Sequence, residues 1–88
     1  MSLQDLQERM VALGGRANAA KESVENLRRQ QQSQGLGLRA DMAAALSSME
    51  QYMDMADAAL AKGDAGAAKR DMDMAERQIE KLEKFLRG

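Results

Sequence analysis

The chain has 88 residues and a mass of 9.6 kDa, enough for one small domain or a piece of a larger protein. It contains no Cys, His, Pro or Trp, which excludes disulfides, thiolate and imidazole metal ligands, and a histidine general base near neutral pH. Its 13 basic and 14 acidic side chains are interleaved, so no positive field for nucleic acid exists, and no apolar stretch approaches the ~20 residues of a membrane span.

Apolar residues make up 44% of the chain, but 16 of them are Ala, leaving 23 large apolar side chains. A core of that size is marginal for an isolated domain, so close helix packing or association with another chain is the expected support. Ala, Met, Leu, Glu, Lys and Gln dominate, Val and Ile total three, and Thr is absent. These are helix formers without strand formers, and the expected class is all-α. Asp5, Glu8 and Arg9 interrupt any signal-peptide pattern, so a chain complete as given is expected to be cytoplasmic.

Ser2-Leu3-Gln4-Asp5 matches a capping box and opens the first helix. From there Leu3, Leu6, Met10, Leu13, Ala17, Ala20, Val24 and Leu27 step 3 and 4 alternately, an a/d seam like that of a coiled coil. Gly14-Gly15 interrupts the composition but not the phase, which predicts one helix, bent at most. Gln31 and Gln34 continue the register, so the seam turns polar at its end. Gln34-Gly35-Leu36-Gly37 is the clearest break, with Gly35 suited to a left-handed C′ position and Leu36 folding back on the preceding turn.

A second helix is expected from about Leu38 to Lys62. Its stripe of Leu38, Met42, Ala45, Leu46, Met49, Tyr52, Met53, Ala56, Ala59 and Leu60 is wide enough to touch two partners. Gly63-Asp64 then ends one helix and caps the next, forcing antiparallel neighbours. Helix three follows with Ala68, Met72, Ala75, Ile79, Leu82 and Leu86, and an exposed face of charge pairs such as Glu80–Lys84. The predicted organisation is one domain: an N-terminal heptad helix over 1–34, a glycine linker over 35–37 and an antiparallel hairpin over 38–88. Together they form a three-helix antiparallel bundle, with self-association expected.

Around the second turn the residues resemble a single tetratricopeptide repeat hairpin, over about residues 49–82. Tyr52 falls at the first aromatic position, Met55 at the Leu, Ala56 at the small residue, Gly63-Asp64 at the turn, and Ala68 and Ala75 at the two alanines. Met72 replaces an aromatic, Ala59 a tyrosine and Glu80 the terminal proline. The resemblance implies a similar hairpin and, were further repeats present, a peptide-binding adaptor.

Catalytic, cofactor and metal residues are not expected. Glu50, Asp54 and Asp57 share one helix face at i, i+4 and i+7, the spacing of a carboxylate-based divalent-metal bundle, but such spacing is common on exposed helices and a solvated face is the preferred reading. Ser47 and Ser48 have no activating base, and Gly35-x-Gly37 lacks the strand and lysine of a phosphate loop. Tyr52, Met55, Met74 and Phe85 fall outside or beside the seams and are candidate partner-binding residues. Val24 and Leu27, the last apolar residues of a narrow seam, join them on the longest helix. The expected function is a non-enzymatic α-helical protein–protein interaction or oligomerisation module, with a protein partner or a second copy as ligand, and without nucleic acid or membrane insertion.

Overall fold

The computed structural model describes residues 2–88, Met1 lying outside them, and consists of three helices: α1 Leu3–Ser33, α2 Ala40–Ala61 and α3 Ala65–Leu86. No strand occurs among the described residues. The all-α three-helix bundle expected from composition is the fold.

Helix α1 begins with a complete capping box. The Asp5 amide donates to Ser2 Oγ at 3.1 Å, and the Ser2 amide donates to Asp5 Oδ2 at 3.3 Å. The helix runs without a break through Gly14-Gly15, as the unbroken 3/4 phase requires. It ends in a Schellman turn: Gly35 takes a φ of +78°, its amide donates to the Gln32 carbonyl, and the Leu36 amide donates to that of Gln31 at 2.7 Å. Leu36 does not fold back on the last turn; it is 56% exposed.

Helix α2 starts at Ala40, two residues later than Leu38. Its N-cap, Arg39, offers no side-chain acceptor and instead pairs with Asp41 at 2.6 Å. The Gly63 turn repeats the Schellman pattern, with φ +73° and the Asp64 amide donating to the Ala59 carbonyl at 2.9 Å. Asp64 also accepts from the Ala67 amide at 3.1 Å, so one residue closes α2 and caps α3.

The core follows the predicted stripes. Leu6, Leu13, Ala17, Ala20 and Val24 are buried on α1; Met42, Ala45, Leu46, Met49, Ala56 and Ala59 on α2; Ala68, Met72, Ala75, Ile79 and Leu82 on α3. Alanines let α2 and α3 approach closely, and this pair shares the most extensive contact, α1–α3 less and α1–α2 least. Leu3 reaches the Gly63 turn, so α1 runs antiparallel to α2 and parallel to α3, forming a rod of 47 × 17 × 17 Å. No residue of α1 after Val24 is buried.

Candidate docking surface

Three grooves separate three helices, and the side chains treat each differently. The α1–α3 groove is bridged by ion pairs as far as Arg16, beyond which a section of about 350 Å³ stays open between Ala19, Ala20 and Ser23 on one side and Glu83, Leu86 and Arg87 on the other. Arg9 Nη2 lies 2.9 Å from Asp73 and 3.1 Å from Glu76, while Arg16 reaches Glu76 at 2.9 Å and grips Glu83 through two nitrogens at 2.7 and 3.2 Å. The two hydrogen bonds from Arg16 hold the Glu83 carboxyl below its usual value, and the same bonds raise the Arg16 guanidinium further. Asp73 is likewise lowered, first by Lys69 at 2.9 Å and then by Arg9.

The α2–α3 groove is filled by alanines and by Asp71, which is buried with its nearest cation, Arg70 Nε, 3.8 Å away. Helical phase places Tyr52 and Met55 on α2 and Met74 and Phe85 on α3 along the outer side of this pair. Tyr52, Met74 and Phe85 are half-buried, and Met55 is 49% exposed. Phe85 packs on the core and lies under the Arg39 guanidinium at 5.4 Å, and Met74 Sδ accepts from Arg77 at 3.7 Å. The four residues share a side of the hairpin, Phe85 engaged by the core and Met55 left half exposed.

The remaining two candidates separate. Val24 has no exposed surface and belongs to the core, because α2 and α3 together cover the α1 seam at that level; it offers nothing to a partner in this fold. Leu27, one turn later, is half-buried.

The α1–α2 groove is open along more of its length. Its section nearest the Gly63 turn, about 520 Å³, is lined by Gln7, Met10 and Val11 from α1 and Asp57, Leu60 and Ala61 from α2. The adjoining section, about 310 Å³, is lined by Gly14, Ala17, Asn18 and Lys21 against Met49, Glu50, Met53 and Asp54. Val11 stands 78% exposed at its edge, the most exposed large apolar side chain described. The acidic residues singled out for their spacing form its α2 wall: Lys21 bridges the groove to Glu50 at 3.3 Å, and Asp54 and Asp57 enter no ion pair among the described residues. Among the described residues no three carboxylates converge closely enough to hold a metal ion, and the three line the rim of the groove.

The sequence matches no protein-family model, and comparison with curated proteins and with solved structures gives no significant match. Among the described residues no helix is long and apolar enough to cross a membrane. Sequence reasoning missed the groove because Val11 lies one position off the α1 seam, where a single apolar residue gives no periodic signal.

Proposed function

We propose that this chain is a non-enzymatic helical interaction module that docks an α-helix in the α1–α2 groove. The observation that supports it is the combination of an apolar floor with the weakest helix–helix contact in the bundle. The groove follows α1 from Gln7 to Lys21, about 21 Å at 1.5 Å per residue, the length of a four-turn helix. Met10, Met49 and Met53 supply adaptable apolar contact, and a helix laid there would give the bundle a fourth member. Gly14 supports the same reading, because a Cβ built there meets nothing within 4 Å. The chain therefore carries a poor helix former at a place where its own packing does not require one, and where a docked helix would gain close approach.

A photo-crosslinking residue placed at Val11 tests this in the intact protein within cells. Crosslinks to a polypeptide are expected from Val11, their loss on Met53→Lys, and none from the same probe at Glu80 on the opposite side. Equal labelling from both positions, or none from Val11, would remove the proposal.

A further inference from the structure

We propose that the occupant of the groove is a second copy of this chain, whose α1 lies antiparallel along it with Arg28 and Arg29 over the free Asp54 and Asp57. The inference rests on reading the groove as a helix-docking surface and adds who docks there. Charge is its first support. Residues 27–39 carry Arg28, Arg29 and Arg39 and no acidic residue, whereas the α2 wall of the groove carries Glu50, Asp54 and Asp57 with no basic residue between them. Arg29 is exposed and bonds only Asn26, and Arg28 has Glu25 at 3.7 Å as its ion-pair partner. Opposite them, Asp54 and Asp57 enter no ion pair among the described residues. Lys21 accounts for Glu50 but for neither aspartate.

Position is the second support. The groove runs to the Gly63 turn, where Met10 and Val11 face Asp57 and Leu60, and the uncovered end of α1 lies at the opposite pole of the rod, beyond Val24. Two copies placed side by side and inverted bring each uncovered end against the other's groove. A two-fold axis then makes both contacts at once, so the assembly closes as a dimer instead of growing. Gly14 is the third support: it lines the groove along which the second α1 would lie, with no side chain of the chain itself filling the space.

The test is reciprocal charge reversal read by analytical ultracentrifugation. One variant carries Arg28→Glu and Arg29→Glu, the other Asp54→Lys and Asp57→Lys; all four positions lie outside the buried core, and circular dichroism verifies folding of each. The wild type is expected to be a dimer that weakens with added salt. Each variant alone sets like charges against each other at both contacts and is expected to dissociate at least about tenfold more readily. An equimolar mixture restores opposite charges at both contacts and is expected to form the one-to-one heterodimer. A wild type that stays monomeric at all concentrations, or a dimer indifferent to both reversals, overturns the proposal. If the Val11 probe at the same time crosslinks a different protein, the docking function survives and only the second copy falls.

Discussion

Glycines show how one residue type serves opposite purposes in this chain. Gly35 and Gly63 sit at φ +78° and +73°, a region that L side chains enter only with strain, whereas Gly14 and Gly15 lie in helical backbone with empty space where a Cβ would go. Gly35→Ala and Gly63→Ala are therefore expected to destabilise by about 1–2 kcal/mol each. Gly14→Ala is expected to stabilise by about 1 kcal/mol, raising the Tm by about 4–8 °C, and to weaken dimerisation at the same time. Differential scanning calorimetry beside ultracentrifugation separates the two effects. Asp71 offers a second contrast, a largely buried side chain between Ala68 and Ala75 whose one ion-pair partner among the described residues, Arg70, is 3.8 Å away. Removing it as Asp71→Ala relieves a desolvation cost, and the Tm is expected to hold or rise. Ile79→Ala, which leaves a cavity at a fully buried site, is expected to cost about 2–5 kcal/mol, enough to unfold so small a domain.

Among the elements, α1 is attached differently from the other two. The α2–α3 hairpin is held by close-packed alanines and one shared turn, while α1 joins it through a narrow seam and the Arg9 and Arg16 ion pairs. Glu83 and Asp73 have folded values below their ordinary 4.5 and 3.8. A lowered folded value means that the unfolded chain takes up the proton first. The stabilisation is thus complete above the ordinary values and lost as pH falls through the lowered ones. Tm is expected to be flat from neutral pH down to about 5 and to drop below that, with Arg16→Gln flattening the drop at a cost near neutrality of about 1 kcal/mol. Amide exchange is expected to show 25–33 opening first and the α2–α3 hairpin last. The capping box of α1, the phase through Gly14-Gly15 and the hairpin turn are local patterns, and all were legible in the residues. The Arg16 pairs were not, because Glu76 and Glu83 lie 60 and 67 residues away and their own neighbours Arg77, Lys81 and Lys84 offered nearer partners. The α2 start was misplaced by two residues because Leu38 packs on the core while still outside the helix.

At the scale of the molecule, an odd number of antiparallel helices decides where the two ends go. Leu3 sits at the Gly63 turn, whereas Phe85 lies against Arg39 at the far pole, so residues 2 and 88 emerge at opposite ends of a 47 Å rod. Joining them by circular permutation would need a linker of at least about thirteen extended residues, since each spans at most ~3.3–3.6 Å. Pulled at those ends, the bundle loads its helices in shear along their length, with whole seams resisting together, instead of peeling one turn at a time. An even-numbered bundle with both ends at one pole would unzip. Lengthwise tension is thus shared by whole seams, and optical-tweezer extension should find the bundle rupturing in one step at a force above that of the same helices permuted to place both ends at the Gly63 pole.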